Sequence, residues 1–267
     1  MRLRATWTVW VYPSARAPWV TVAVVGVQFL VVCVRCGLYT YTAWYGLTYQ
    51  PYSKYIDGPD DKRKPTPWKN AIVGPLYMGH WEYEEIPKNG PGRAFFICRD
   101  PRDIVSSYYF STRYAHRAHK RILPRRAELN GLEQQAGMLK CVEYLKQDRL
   151  FERIGSWFDA AESSDDVKVI RYESITGPEQ FQVFRDLFDF CQIALPDDKL
   201  EEVLDKYSFK KMAKRKETEK TTNVKSHYRS GKSGDWQNHF DEEIRTAFVD
   251  ATGDLLEKLG YETHANW

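Results

Sequence analysis

Two separated stretches of this chain carry residues suited to holding a phosphate-like anion. The first is FFICRDPRDIVSSYY, residues 95–109, with Arg99 at the end of an apolar run and Ser107 further along. A planar guanidinium fork matches the oxygens of a phosphate. Asp100 and Pro101 supply an N-cap and a first-turn proline, so a helix is expected to start there and run to about Ala115. The free N–H groups of its first turn attract the same kind of anion. Ser107 then lies about two turns in, and Arg102 with Asp103 reads as a local ion pair. Taken alone, the stretch is equally an ordinary strand-to-helix junction with a surface arginine. The second stretch is HYRSGKSGDWQNHF, residues 227–240, which gathers Arg229, Gly231, Lys232 and Gly234. Glycines let a backbone approach an anion and the cations supply charge. Trp236 and Phe240 are expected to anchor this loop in the core. Taken alone, it is equally a flexible basic loop ahead of the last helix.

The elements that must position these residues follow from the apolar pattern. Ala94 to Cys98 is a short apolar run that reads as a buried strand, and Val167 to Tyr172 alternates as a second one. Helical spacing runs over 131–158, with Leu132, Ala136, Leu139, Leu150, Ile154 and Trp157 near one face. Further helices are expected over 178–191, 197–207 and 241–259, the last with Phe248, Ala251, Leu255 and Leu259 as its buried stripe and Gly260 as its stop. Residues 50–70, rich in Pro, Gly and charge, read as loop. Strands alternating with helices predict a parallel sheet covered on both faces. Ligands of such sheets bind beyond the carboxyl ends of the strands, here Cys98-Arg99-Asp100 and Arg171-Tyr172-Glu173.

The bulk properties narrow the function. The chain has 267 residues, 43% of them hydrophobic, and a formal net charge of +3, which excludes a strongly cationic nucleic-acid binder. The basic clusters at 113–126 and 210–220 read by default as solvated faces. Five scattered cysteines do not form a disulfide framework. Cys33 and Cys36 form a CxxC pair without two further ligands at a zinc spacing. With no Asn-x-Ser/Thr sequon, these facts favour a reducing, cytoplasmic setting. A nucleoside-triphosphate hydrolase would need GxxxxGK[ST], which does not occur.

From about residue 76 to the end, the chain resembles the cytosolic and bacterial sulfotransferases. The resemblance rests on GHWEY (79–83), FFICRDPRDIVSSYY (95–109), VIRYESI (169–175), YSFKKM (207–212), YRSGKSGDWQNHF (228–240) and DLLEKLGYETHANW (254–267). It implies 3′-phosphoadenosine 5′-phosphosulfate (PAPS) as donor. Arg99 and Ser107 would grip the donor's 3′-phosphate, joined by Arg229 and the backbone around Ser230 and Gly231. Tyr172 and Phe209 match positions that contact adenine, although both also suit the core as plain aromatics. Where the family commonly has lysine, this chain has Ser230.

The resemblance also implies a catalytic base. Histidine titrates near neutrality and suits the removal of a proton from an attacking hydroxyl. His80, in a Gly-His-aromatic context ahead of the Arg99 strand, is the candidate. The family often has lysine two residues earlier, where this chain has Met78. The family's loop for the 5′-phosphosulfate, Pro-Lys/Arg-Ser/Cys-Gly-Thr-Thr, has no intact copy. Its nearest counterpart is Val34-Arg35-Cys36-Gly37-Leu38-Tyr39-Thr40, in which Arg35 would replace the lysine. Three readings of the apolar run 18–34 stay open: a degenerate first strand leading to that loop, a foreign or mis-started N-terminus, and a membrane anchor. The first predicts that Arg35 lies beside His80.

The expectation is therefore an α/β protein with a single domain, a central parallel sheet flanked by helices and a P-loop-like sulfotransferase fold. Residues 1–60 form an N-terminal segment and 61–267 the sulfotransferase domain. Its function is sulfuryl transfer from PAPS to a small molecule carrying a hydroxyl or amine, with no metal and no nucleic-acid partner. The alternative is an impaired relative that binds the nucleotide or serves as an interaction module. Oligomeric state is left open, a homodimer included. Tyr39, Tyr41, Trp44, Tyr45, Tyr49, Tyr52 and Tyr55 either line an acceptor pocket or are packing.

Overall fold

The apolar run at 94–98 becomes the centre of the sheet. The computed structural model describes residues 6–11, 19–25, 48–51, 71–74, 78–86, 92–116, 118, 120–206, 208, 233–264 and 267, the first four of these stretches as backbone. Its strands are β1 (Thr6–Val11), β2 (Trp19–Val25), β3 (Thr48–Pro51), β4 (Ala71–Gly74), β5 (Gly92–Cys98) and β6 (Val167–Arg171). One sheet has the order β1-β2-β5-β6, and β3 pairs with β4 separately. Ala94 to Cys98 are each at most 2% exposed, the continuous burial of a strand covered on both faces.

β2, β5 and β6 are parallel, as the alternating pattern predicts. β1 departs from it and runs antiparallel to β2. The link over 12–18 is too short for the crossover of a dozen or more residues that a parallel pair needs, so the chain can only turn back. The apolar run at 18–34 thus contributes a strand, β2, paired in register with β5 from Trp19 opposite Gly92 to Val24 opposite Ile97. No helix among the described residues is long and apolar enough to cross a membrane. The stretch read as loop from residue 50 begins as the end of β3, and 52–70 lie outside the described residues.

The chain divides into two compact units. One comprises residues 4–99 and 156–212, with all the strands described above; the other comprises 1–3, 100–155 and 213–267. The strand-bearing unit also holds α1 (His80–Glu84), α6 (Tyr172–Thr176), α7 (Gln180–Phe190) and α8 (Asp197–Lys206). The other unit holds α2 (Pro101–Phe110), α3 (Ile122–Asn130), α4 (Gln134–Gln147), α9 (Glu242–Thr252) and α10 (Leu255–Lys258). The boundary falls inside α5 (Leu150–Ser163).

Three expectations are corrected by local backbone geometry. The helical stripe over 131–158 is two helices, because Arg149 takes φ 56° and ends α4. That break resets the helical phase. Leu150, Ile154 and Trp157 are buried as expected, but Ala136 is exposed and α4 buries Met138, Cys141, Val142 and Leu145 instead. The last helix is likewise split at Gly253, φ 59°, a conformation L side chains rarely adopt. The helix begun at Asp100 is α-helical only to Phe110 and continues as a π turn over Ser111–Ala115.

Within the basic cluster at 113–126, Arg113, Arg125 and Arg126 have structural tasks around that π turn, while Lys120 and Arg121 are exposed as a solvated face would be. Widened turns leave carbonyls without intrahelical partners. Arg126 donates to the carbonyls of Thr112, at 2.7 Å, and His116. Arg113 donates to the Tyr109 hydroxyl and to the Leu132 carbonyl. Arg125 bridges Asp148 and the Tyr108 hydroxyl, both at 2.7 Å. The second basic cluster, 210–220, lies outside the described residues.

Candidate active site

Strand register decides which residues meet at the sheet's carboxyl edge. Cys98 of β5 is paired with Arg171 of β6, so the residues that follow each strand leave side by side. These are Arg99 and Tyr172. The guanidinium carbon of Arg99 lies 5.3 Å from the centre of the Tyr172 ring. Tyr172 is 4% exposed and opens α6, so its ring is a core aromatic and a neighbour of the arginine at once. Two residues assigned to the donor by sequence are thereby brought together where open α/β sheets bind ligands.

His80 is tied to the same strand through a tryptophan. The Trp157 ring stacks on Phe96 of β5, with centroids 5.4 Å apart and planes 8° apart. Its indole N–H donates to the Met78 carbonyl at 3.0 Å. The His80 ring meets Trp157 edge-on at 5.0 Å and Tyr83 at 5.5 Å. The His80 backbone N–H donates to Ser156 Oγ at 2.9 Å. Gly79 precedes it because a Cβ there would come within 2.7 Å of the Trp81 indole, and its N–H is capped by Glu82 Oε2 at 2.7 Å. The imidazole keeps 21% of its side-chain surface exposed, so a solvent-borne hydroxyl can reach it. Its Nε2 stands 3.4 Å from Glu84 Oε1, an ion pair when the ring is protonated.

In the other unit, Ser107 is half-buried, whereas every other residue from 101 to 109 is buried. The expected Arg102–Asp103 ion pair is not formed. Adjacent helical residues point about 100° apart and do not face each other. Arg102 instead makes a fork with Asp100, through Nε at 3.0 Å and a second nitrogen at 2.7 Å, and also bonds Glu262. Asp103 accepts from the backbone N–H groups of Gly234, at 2.9 Å, and Trp236, at 3.0 Å. Trp236 is buried and packs edge-on against Phe240 at 5.7 Å, the anchoring expected of that loop.

Arg35, Phe209, Arg229, Ser230 and Gly231 lie outside the described residues, as does the predicted approach of Arg35 to His80. Among the described residues no group of His, Cys, Asp and Glu is arranged to hold a metal ion. Sequence reasoning missed Trp157 as the support of His80, Glu84 as its neighbour and Asp103 as a loop ligand. The His80–Glu84 spacing of four on a helix is a signal that was present in the sequence. Nothing local announced the partner of Asp103, which lies 131 residues away.

A family model for the sulfotransferase domain matches residues 75–260, well over half of the chain. The chain belongs to the sulfotransferase family. No curated protein matches it. Among solved structures, this sulfotransferase is similar to mouse sulfotransferase SULT7A1 complexed with PAP, at 17% identity. That likeness covers 86% of this chain and 80% of the other, with a TM-score of 0.55, and shows a shared fold. A retinol dehydratase in complex with androsterone and inactive cofactor PAP also aligns. It has 17% identity, 84% coverage of this chain, 60% of that chain and a TM-score of 0.47.

Proposed function

We propose that this sulfotransferase moves a sulfuryl group from PAPS to a hydroxyl or amine of a small acceptor. The observation that carries the proposal is the Arg99–Tyr172 pair at the carboxyl ends of adjacent parallel strands. A guanidinium beside an aromatic face is what a nucleotide phosphate and its base require. Ser107, Arg229, Ser230 and Gly231 are assigned to the donor's 3′-phosphate, and Phe209 to its adenine, on their sequence motifs. The PAP named in the mouse structure supports the same donor class.

In the reaction, His80 accepts the proton of the acceptor hydroxyl as its oxygen attacks sulfur. A new oxygen–sulfur bond forms. The bond from sulfur to the 5′-phosphate oxygen breaks, and its electrons leave with PAP. Trp157 and the Ser156 hydroxyl hold the imidazole in place. Arg35 is assigned to the charge that develops on the leaving oxygen, the kind of stabilisation that fixed cations supply.

Calorimetric titration with PAP, followed by transfer assays across phenols, alcohols and amines, tests this. Binding with transfer supports the enzyme. Binding without transfer to any acceptor leaves a nucleotide-binding module, and no binding refutes both.

A further inference from the structure

We propose that Glu84 is a positioning residue for the base: its carboxylate holds the His80 imidazole and stabilises the cation that the ring becomes when it takes the acceptor's proton. The role rests on the assignment of His80 as that base. The two residues are the first and last of α1, and both lie in the strand-bearing unit. Residues four apart on a helix share a face. Glu84 Oε1 accordingly stands 3.4 Å from His80 Nε2. The other two carboxylates of this stretch are placed elsewhere. Glu82 caps the Gly79 N–H at 2.7 Å, and Glu85, one residue on, points about 100° round the helix axis from Glu84.

The turn that carries the pair is fixed at several points. The Tyr83 N–H donates to the Gly79 carbonyl at 3.1 Å, and the His80 N–H to Ser156 Oγ at 2.9 Å. The Tyr83 ring is buried and lies 5.3 Å from that of Trp157. The imidazole meets Trp157 at 5.0 Å and Tyr83 at 5.5 Å. Those two rings locate it but carry no charge. Glu84 supplies a negative one. The pair contributes little to the helix itself, because an acid ahead of a cation is the more stabilising order and here the order is reversed. Its effect falls on the reaction instead. Proton transfer breaks the acceptor's O–H bond, forms an N–H bond on the ring, and turns a neutral imidazole beside a carboxylate into an ion pair. That change favours the transition state over the ground state. The Glu84 side chain is 53% exposed, so water screens the attraction and limits it to about fivefold in rate.

Glu84→Gln keeps the shape and removes the charge. With donor and acceptor saturating, kcat should fall about threefold to fivefold, while the PAP dissociation constant and the donor KM stay as in wild type. Glu85→Gln makes the same change in charge one residue away and is the control, with kcat unchanged. In the His80→Ala background, Glu84→Gln should leave the residual transfer rate unchanged, because Glu84 acts only through the ring. A readout that needs no turnover is NMR of the ring nitrogens, with the His80 signals assigned by their loss in His80→Ala. They should shift in Glu84→Gln and not in Glu85→Gln. The proposal is overturned if folded Glu84→Gln keeps the wild-type kcat, if Glu85→Gln loses as much, if the loss persists without His80, or if the ring signals do not move. A wild-type chain that transfers to no acceptor, with ring signals that still respond to Glu84→Gln, overturns the assignment of His80 as base and the proposal with it.

Discussion

Trp157→Phe probes the link between His80 and the sheet. Trp157 is fully buried, stacks on Phe96 and donates its indole N–H to the Met78 carbonyl at 3.0 Å. Phenylalanine keeps most of the stack but has no donor. The orphaned carbonyl costs about 1–3 kcal/mol. The void left by the smaller ring adds on the order of 1 kcal/mol. The expected loss is about 3 kcal/mol, and with a urea slope of about 3 kcal/mol per molar the unfolding midpoint falls by about 1 M. Because the His80 ring rests edge-on against Trp157, kcat should fall on the order of tenfold. PAP affinity should stay within about twofold, since among the described residues Trp157 makes no ring contact or hydrogen bond with Arg99 or Tyr172, and that change is under ~0.5 kcal/mol. Urea denaturation followed by fluorescence, with donor-saturated transfer rates and PAP calorimetry, measures all three. An unchanged midpoint would refute the hydrogen bond. A lowered midpoint with unchanged kcat would refute the idea that Trp157 places the base.

Further consequences follow from individual residues. Arg99→Ala should weaken PAP binding on the order of 30-fold, the worth of a charge-assisted contact, by calorimetry at fixed salt; a change below twofold would remove Arg99 from the donor site. Burial pushes the Cys141 and Cys191 thiols well above their ordinary values, so at pH 8 both stay protonated and unreactive. Mass spectrometry after thiol labelling should find them unmodified in the folded chain and modified after denaturation. Gly253→Ala should destabilise by about 1–2 kcal/mol, because its φ of 59° with ψ −128° is strained for any L side chain; an unchanged melting temperature would contradict that. Glu84→Gln should change kcat less than tenfold, since the pair is half-exposed and an exposed ion pair contributes at most about 1 kcal/mol.

How much of this was legible in the sequence differs from element to element. The strand at 94–98 and the helix start at Asp100-Pro101 were legible because each is set by short-range chemistry: a continuous apolar run, an N-cap carboxylate and a first-turn proline. Asp100 does cap the helix, accepting from the Arg102 N–H at 2.9 Å. The antiparallel β1 was not foreseen, although the short link at 12–18 requires it. The helix over 131–158 was misphased because a single non-glycine residue at positive φ, Arg149, breaks the period without any sequence signal. For the site, Arg99 beside Tyr172 follows from strand order plus register. The partners of Asp103 and Trp157 do not, because Gly234 and Trp236 lie 131 and 133 residues from the first and Met78 lies 79 from the second. Local patterns carry no information about such pairings.

The most direct test of sulfuryl transfer with His80 as base is a single-turnover measurement. Donor carrying a radiolabelled sulfuryl group is mixed with excess enzyme and an acceptor found active in the panel, for wild type and for His80→Ala. Label should pass to the acceptor with wild type and fall at least about 100-fold in rate with His80→Ala, the scale of general-base catalysis, while both bind PAP equally. Transfer by His80→Ala at the wild-type rate, or loss of PAP binding in step with transfer, would contradict the assignment of His80 as the base.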